Sequence, residues 1–411
     1  MKKRLFILLT IFILAFVLIF SQNANTGQSQ VTWWEFQSID TMKYSRDVAR
    51  EKLKDSTFDR VIEDQVTKIA QTGATHVGIA TPYDEEFYPI LKRWINAARK
   101  NNLKVWFRGN WSGWERWFNY PKITRQEHIE KTGDFIVKHK EIFEDGDVFS
   151  PCPECENGGP GDPRRSGDVK GHRKFIIEEY NVTKEAFNAI GKNVASNFNS
   201  MNGDVARVVM DKETTSAMDG IVAIDHYVNT PVKLIDDIKS ISRSSGGKIV
   251  LGEFGAPIPD INGKMSEKQQ ADWIKEALIQ LVDTPEVAGV NYWTNTGSST
   301  ALWNEDGKAR EVVSVLTSVY KAPVIKLVVK DEAGFRVKEA VLSLNGKKFS
   351  ADSKGNIYLP YFENLKDVNI AAEGYFSTQT TLTESDEVII VIGKRNPTLI
   401  YKILRAIKST F

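Results

Sequence analysis

The sequence predicts an α/β protein, a (β/α)8 TIM barrel followed by a small all-β sandwich domain, and three observations carry this prediction. Eight short apolar runs lie in the first 320 residues, and such runs are typical of strands buried on both faces of a parallel sheet. Amphipathic helical stretches separate most of them, which is the order of a barrel with a parallel sheet. After Pro323 the apolar period changes to two, which indicates half-buried antiparallel strands.

The barrel is expected over residues 31–321, with eight strands and seven longer helices. A doubly wound open sheet is the competing fold, but it usually carries a glycine-rich phosphate turn after the first strand, and none follows here. The predicted strands are 31–36, 76–81, 104–108, 147–151, 206–211, 220–227, 248–255 and 289–294. The predicted helices are 47–72, 86–101, 124–143, 173–199, 232–243, 266–282 and 308–320.

Composition narrows the classes of partner. Lysine and arginine number 54 against 53 acidic residues, a net charge of +1, so we expect no nucleic acid partner. All ten tryptophans lie between Trp33 and Trp303, so the predicted barrel differs in composition from the last hundred residues, which have none.

The N-terminus has the pattern of an export signal. Met1-Lys-Lys-Arg4 is followed by an apolar run over residues 5–20, and residues 21–30 form a polar linker. At about 1.5 Å per residue the run reaches roughly 24 Å, a little short for a comfortable membrane span. A cleaved signal peptide and a retained signal anchor, which would tether the chain to a membrane, both stay open. Either one predicts an extracellular or cell-envelope protein.

The chain has two cysteines, Cys152 and Cys155. Two cysteines are too few for a disulfide framework, and a zinc site would need two more ligands. A local disulfide that shapes the loop around Glu154 and a pair of free thiols are the two alternatives.

A β-sandwich is expected over residues 322–394. Its predicted strands are 324–329, 340–344, 356–359, 367–372 and 387–393, with glycine-containing turns between several of them. The order of strands and turns resembles the carboxypeptidase-regulatory-like, transthyretin-like sandwich domains. That resemblance implies a spacer or binding accessory and no catalysis.

The tail, residues 395–411, predicts a basic amphipathic helix. Such a helix lies on a membrane surface or packs on the β-sandwich, and the sequence leaves both open. Its apolar positions are Leu399, Ile400, Ile403, Leu404 and Ile407, and its basic positions are Lys402, Arg405 and Lys408.

Two glutamates carry the chemical prediction. Glu253 stands at the end of a predicted strand between two glycines, and Glu154 follows another short apolar run. A charge at the end of a buried strand is costly unless it is paired or used, and a pair of carboxyls at strand ends is what glycoside hydrolysis requires. The flanking glycines favour close approach of a ligand. The competing interpretation is a structural carboxylate paired with an arginine.

The motif Leu251-Gly-Glu-Phe-Gly255 and the ends of the fourth, sixth and eighth strands resemble the clan A glycoside hydrolases, most nearly the family 5-like cellulase and mannanase group. The resemblance implies that Glu253 is the nucleophile and Glu154 the acid/base of a retaining mechanism that needs no cofactor and no metal. It also implies that Arg108, His226, Tyr227 and Trp293 bind substrate.

One departure from that family concerns the residue before the acid/base. The family usually has asparagine there to contact the sugar 2-hydroxyl, and this chain has Pro153. The departure leaves Glu156, which is followed by Asn157, as the alternative acid/base.

Aromatic residues predict sugar-binding surfaces in the barrel. Trp111, Trp114 and Trp117 follow the third strand in a loop, where exposure is expected and their rings can stack on pyranose faces.

Two other classes of function are alternatives to a glycoside hydrolase. A metal-dependent hydrolase would use His76, His172 and His226 with Asp84 or Asp225. That class normally has His-x-His on its first strand, and this first strand has no histidine. A catalytically impaired carbohydrate-binding or cell-envelope protein on the same barrel is the main alternative, because fold does not imply activity. We expect an exported retaining β-glycosidase that binds a polysaccharide or oligosaccharide, with the sugar, the linkage and the oligomeric state left open.

Overall fold

An eight-stranded parallel sheet forms the larger part of the protein. The computed structural model describes residues 31–361, 367–382 and 387–408, and from Thr32 onward they belong to one compact unit. The strand order is β4-β3-β2-β1-β8-β7-β6-β5, so sequence neighbours pair except for β4 and β5, and β8 pairs with β1. The strands are β1 (Phe36–Asp40), β2 (His76–Ile79), β3 (Lys104–Phe107), β4 (Val148–Phe149), β5 (Met201–Asn202), β6 (Ile221–Asp225), β7 (Lys248–Phe254) and β8 (Val287–Tyr292).

The two edge strands of this sheet approach each other without pairing directly. One parallel bridge joins Val148 in β4 to Ala195, which precedes β5. The Phe149 N–H donates to the Ala195 carbonyl at 2.8 Å, and the Ala195 N–H donates to the Asp147 carbonyl at 3.1 Å. The predicted eight-stranded α/β fold is therefore confirmed, while a sheet closed by continuous strand pairing is not what the structure shows.

Helices follow the strands in the predicted alternation. Thr124 and Ser266, the first residues of two predicted helices, each form a capping box with the residue three positions on. The helices are α1 (Met42–Ser45), α2 (Ala49–Lys52), α3 (Phe58–Gln71), α4 (Tyr88–Lys100), α5 (Ser112–Glu115), α6 (Arg125–Lys138), α7 (Pro163–Ser166), α8 (Val169–Ala189), α9 (Gly203–Val209), α10 (Lys212–Ala217), α11 (Pro231–Ser245), α12 (Pro259–Asn262), α13 (Glu267–Val282), α14 (Glu311–Tyr320) and α15 (Leu399–Lys408). Short 3-10 turns lie at Glu85–Phe87, Trp117–Asn119, Lys140–Ile142 and Cys155–Asn157.

Two predicted strands are misplaced. β1 is Phe36–Asp40 and not residues 31–36, because its buried positions Gln37, Ser38 and Asp40 are polar and hide the strand from an apolar pattern.

The predicted fifth strand, residues 206–211, is wrong, because most of that segment belongs to helix α9. The Asn202 side chain accepts the Asp204 N–H and caps the helix, and Val205, Ala206 and Val209 bury one helical face. The true β5 is only two residues long.

Two small sheets follow the barrel segment, with their buried residues in the same apolar core cluster. One is antiparallel with order β11-β10-β13-β14, and the other has order β12-β9-β15, in which β15 runs parallel to β9. β11 and β14 were not predicted, because each is partly exposed and largely polar. The division of the chain at residue 321 stays a prediction. The strands are β9 (Val324–Asp331), β10 (Val341–Leu344), β11 (Lys347–Ser350), β12 (Asn356–Pro360), β13 (Asp367–Ala371), β14 (Thr378–Thr381) and β15 (Glu387–Ile392).

The predicted signal or anchor, residues 1–30, lies outside the described residues. Among the helices that the structure describes, none is long and apolar enough to cross a membrane.

Asp147 fixes the start of β4. Its carboxylate is fully buried, accepts two hydrogen bonds from Arg99 at 2.8 and 2.5 Å, and accepts the Val105 N–H of β3 at 2.9 Å and the Glu144 N–H at 2.8 Å. It therefore joins β3, β4 and helix α4 at one point.

We predict that Asp147→Ala lowers the free energy of unfolding by about 3 kcal/mol, because it leaves the Arg99 charge without its buried partner. Urea denaturation measures this. The matched control is Asp64→Ala, which removes a more exposed pair with Lys68 at 2.6 Å and should cost less than about 1 kcal/mol. Equal losses in the two variants would contradict the role given to Asp147.

Candidate active site

Arg108 lies at the centre of the site, directly after β3. Its fully buried guanidinium donates from Nη2 to Glu253 Oε1 at 2.7 Å and from Nη1 to the Gly252 carbonyl at 2.6 Å. Nε lies 2.9 Å from Asp40 Oδ2, and Nη2 lies 3.7 Å from Asp225 Oδ2. One cation therefore holds carboxylates from the ends of β1, β6 and β7.

Glu253 receives a donor on each carboxylate oxygen. Arg108 donates to Oε1, and the Tyr227 hydroxyl donates to Oε2 at 2.8 Å. Burial, followed by the charge of Asp225, raises the pKa of Glu253 to about 8, while Arg108 and Tyr227 act against that rise. Both donors favour the ionised form of this carboxyl.

Asp225 is the less well stabilised anion of the pair. Its Oδ2 accepts from the Ser200 hydroxyl at 2.9 Å, whereas Oδ1 has no hydrogen-bond partner within the described ranges. Burial raises the pKa of Asp225 to about 7, and Arg108 opposes the rise. The pKa values alone, about 8 for Glu253 and about 7 for Asp225, would place a shared proton on Glu253. The hydrogen bonds favour the opposite arrangement, because Glu253 has a donor on each oxygen and Asp225 has a donor on one, so we assign the proton to Asp225 and the ionised form to Glu253.

Glu154 lies in the loop after β4 with a left-handed backbone, φ 48°. Its N–H donates to the Ser200 carbonyl at 2.7 Å, and its side chain is partly exposed. Burial, followed by the negative charges of Glu253 and Glu156, raises the pKa of Glu154 to about 8. Because Glu253 is the strongest of the charges that raise this pKa, the two carboxyls are electrostatically coupled, and Glu154 holds its proton near neutral pH.

A disulfide fixes the loop that carries Glu154. Cys152 and Cys155 are bonded with their Cα atoms 5.3 Å apart, which is the first of the two alternatives for these cysteines. The Cys152 N–H donates to Asn199 Oδ1 at 3.2 Å, and the Trp114 indole donates to the Cys155 carbonyl at 3.2 Å. The loop is thus tied to the chain before β5 and to the segment after β3.

Glu156, the alternative acid/base, has a partner in the loop itself. It is buried, and its Oε1 accepts the Asn202 N–H at 2.7 Å. Burial also raises the pKa of Glu156. Its contact with β5 gives it a structural task, and Glu253 is among the charges that raise the pKa of Glu154, so Glu154 is favoured as the partner of Glu253.

Two carboxyls of the site, Asp40 and Glu115, were missed from sequence, and Asp225 was considered only as a ligand in the metal-dependent hydrolase alternative. Asp40 and Asp225 end β1 and β6, so a search for acidic residues at every strand end would have found Asp225. Asp40 was not identified because the first strand was predicted at residues 31–36, before this residue. Glu115 lies on the short helix α5, where no sequence signal marks it. Asn110 donates to its Oε1 at 2.5 Å, and burial together with the charge of Glu154 raises the pKa of Glu115 to about 8.

Tyr227 and Trp293 form an aromatic corner beside Glu253. Their ring centroids lie 6.0 Å apart at 75°, the Trp293 ring is partly exposed, and Lys43 Nζ lies 5.6 Å from its centroid. The ring of His226 is directed elsewhere, because Nε2 lies 3.0 Å from Asp237 Oδ2 of helix α11. The substrate-binding role predicted for His226 therefore finds no support in its side-chain contacts.

The two glycines around Glu253 make room for the protein's own groups. A Cβ on Gly252 would clash with Asp225 Oδ1 and would lie 2.7 Å from Ser200 Cβ, and one on Gly255 would lie 2.5 Å from the Trp293 carbonyl. The expectation that these glycines allow a ligand to approach stays a prediction, because the contacts show only that both are needed for packing. They admit the strand-end cluster.

Two of the three loop tryptophans are core residues. Trp111 and Trp114 are buried, and Trp114 stacks on Phe175 with centroids 5.0 Å apart. Trp117 is partly exposed with the Arg46 guanidinium 4.9 Å from its ring centroid. Trp117 and Trp293 are therefore the aromatic candidates for a sugar platform.

The histidines of the metal-hydrolase alternative serve different elements. His76 is the first residue of β2, and its Nε2 lies 3.0 Å from the Gly146 carbonyl. His172 is buried in helix α8, and His226 contacts Asp237. Within the described residues, the group able to hold a metal is His128, Cys152 and Glu179, and Cys152 is disulfide-bonded.

Comparison with known proteins yields distant structural likeness. No protein-family model matches the sequence, and no curated protein matches it. The fold is similar to a beta-glucuronidase from Bacteroides uniformis at 11% identity and TM-score 0.49, over 88% of this chain and 46% of that chain. It is similar to beta-glucuronidase 2 of the same organism at 11% and 0.46, over 81% and 44%.

A third similar structure is the GH2 beta-galacturonidase from Eisenbergiella tayi, at 14% identity and TM-score 0.45, over 64% of this chain and 48% of that chain. This chain spans about half the length of the solved structures that it matches. At such identities and TM-scores the likeness assigns neither a family nor an activity, so function is argued from the site.

Proposed function

We propose that this chain is a retaining β-glycoside hydrolase of the clan A, family 5-like type, acting on a polysaccharide or oligosaccharide. The observation that carries the proposal is a carboxyl with a donor on each oxygen, Glu253, whose charge raises the pKa of a second carboxyl, Glu154. Glu253 is held for ionisation by Arg108 and Tyr227, and Glu154 is held protonated in electrostatic contact with it.

The first step breaks the glycosidic bond. Glu154 gives its proton to the glycosidic oxygen, and a carboxylate oxygen of Glu253 attacks the anomeric carbon. The bond from that carbon to the leaving oxygen breaks, the leaving group departs as an alcohol, and the sugar is bound to Glu253 as an ester.

The second step reverses these roles. Glu154, now a carboxylate, takes a proton from water, whose oxygen attacks the anomeric carbon and releases Glu253. The negative charge of Glu253 raises the pKa of Glu154, and that charge is absent from the ester. The pKa of Glu154 therefore falls when the ester forms, which suits it to act as a base.

Pro153 leaves the sugar 2-hydroxyl without the asparagine that the family usually supplies. Asn199 borders the same loop through its bond to the Cys152 N–H, and its buried Nδ2 has no partner in the part of the chain that the structure describes. Because this amide is buried, it is not assigned to the 2-hydroxyl contact. Trp293 and Trp117 supply the apolar faces on which the sugar rings stack.

Export, the extracellular or cell-envelope location and the domain division belong to the same proposal. They rest on the sequence patterns of residues 1–30 and of the segment after residue 321. The accessory role of the β-sandwich rests on its resemblance to carboxypeptidase-regulatory-like domains.

We predict that Glu253→Ala and Glu154→Ala each lower kcat/KM on aryl β-glycosides by about a hundredfold or more, because each removes a group that acts in the transition state. Azide should rescue both variants on an activated substrate. The products, read by NMR, should be an α-glycosyl azide from Glu253→Ala and a β-glycosyl azide from Glu154→Ala.

Glu213→Ala is the matched control, because this glutamate is exposed on helix α10 and should leave turnover unchanged. Near-normal turnover by a folded Glu253→Ala protein would contradict the assignment. Glycan binding without any product, in the unaltered chain, would instead favour the catalytically impaired carbohydrate-binding protein.

The alkaline limb of the pH–rate profile is a separate prediction. Glu154 must be protonated to act as the acid, so kcat/KM should fall as pH rises through about 8. Glu154→Gln should remove this limb on an aryl substrate whose leaving group needs no proton, whereas Glu156→Gln should retain it. Loss of the limb in Glu156→Gln alone would transfer the acid/base role to Glu156.

A further inference from the structure

Helix α15 exposes a continuous apolar face. Positions 399, 400, 403, 404 and 407 recur at the helical period on one side. Exposed apolar patches of this kind mark interaction surfaces. The exposed fractions are 75% for Leu399, 71% for Ile400, 52% for Ile403, 40% for Leu404 and 53% for Ile407.

The opposite face of α15 fixes the helix to the β-sandwich segment. Tyr401 is buried, with Lys394 Nζ 5.0 Å from its ring centroid. Arg405 Nη2 lies 3.0 Å from Glu332 Oε1. The tail therefore packs through Tyr401 and Arg405 while its apolar face is turned outward, which combines the two interpretations that the sequence left open.

Two exposed phenylalanines adjoin this helix. Phe335 is 55% exposed and follows Gly334, against which Lys408 lies at the end of α15. Phe376 is 56% exposed, and the Arg395 guanidinium lies 5.7 Å from its ring centroid, just before the helix begins. We call Phe335, Phe376 and the apolar face of α15 the tail surface.

Cations accompany the tail surface. Lys394, Arg395, Lys402, Arg405 and Lys408 lie within or just before α15, and of these Arg405 is paired with Glu332. An apolar face with basic residues beside it complements an anionic lipid surface, where apolar side chains enter the acyl boundary and cations meet lipid phosphates.

We propose that the tail surface docks the protein onto an anionic bilayer. Because α15 is already packed on the sandwich segment, a partner's groove could not enclose it, whereas a flat surface can receive its outward face. Single basic residues at such a surface contribute about 1 kcal/mol each, and buried apolar side chains add to this. The docking is separate from the proposed hydrolase activity, and it does not depend on residues 1–30.

The test is cosedimentation of residues 32–411, the compact unit without the N-terminal apolar run, with vesicles of phosphatidylcholine alone and with 30% phosphatidylglycerol as the chosen composition. We expect binding to the anionic vesicles and weak binding to the neutral ones. Ile400→Ser with Ile403→Ser should lower the partition coefficient about tenfold or more. Lys402→Gln with Lys408→Gln should lower it by roughly fivefold for each charge.

The matched control is Val137→Ser with Val232→Ser, which changes two similarly exposed apolar residues, at 51% and 54%, on other helices. It should bind as the unaltered chain does, and circular dichroism should show every variant folded. No anionic binding, or equal binding by all variants, would overturn the proposal. A dimer in gel filtration that Ile403→Ser dissociates, without vesicle binding, would assign the surface to a second copy.

Discussion

The ion cluster around Arg108 is the constraint on which the rest of the site depends. A buried guanidinium is tolerable only when its charge and its donors are matched, and here Asp40, Asp225 and Glu253 surround it. Each of these carboxylates ends a different strand, so the cluster ties β1, β6 and β7 to the end of β3. The Arg108 side chain therefore joins four strands of the sheet and also contacts the proposed nucleophile, Glu253.

Charge balance in the cleft follows from that arrangement. Several carboxyls share one central cation, so some of these carboxyls must stay protonated near neutral pH. The hydrogen bonds determine which of them carry the protons. Glu253 has two donors and Asp225 has one good partner, which places the ionised form on Glu253. The charge on Glu253 in turn keeps Glu154 protonated. The protonation states of the acid, Glu154, and the nucleophile, Glu253, thus depend on the same group of charges.

Sequence patterns were sufficient where a residue's role was local. Glu253, Tyr227 and Trp293 each follow an apolar strand, so their meeting at one sheet edge could be predicted. Asp40 could not be, because β1 buries the polar side chains of Gln37 and Ser38, so no apolar pattern marks the strand.

Long-range packing explains the remaining differences. The segment 203–209 has strand-like composition, yet the Asn202 cap and the buried face of α9 make it a helix. Position 252 requires glycine because Asp225 and Ser200, which are distant in sequence, occupy the space where a Cβ would lie. Glu115 enters the cleft only because α5 follows β3, and the disulfide loop reaches Asn199 across the sheet edge. Apart from the Asn202 cap, none of these contacts has a local sequence signal.

The measurement that tests the central claim most directly is covalent trapping of the nucleophile. The chain would be treated with a panel of 2-deoxy-2-fluoro β-glycosyl fluorides, digested, and mapped by mass spectrometry. The account predicts one added sugar, on Glu253, for the sugar configuration that the enzyme turns over. Attachment to Glu154, Glu156 or another carboxyl, or turnover of that sugar without trapping, would contradict it.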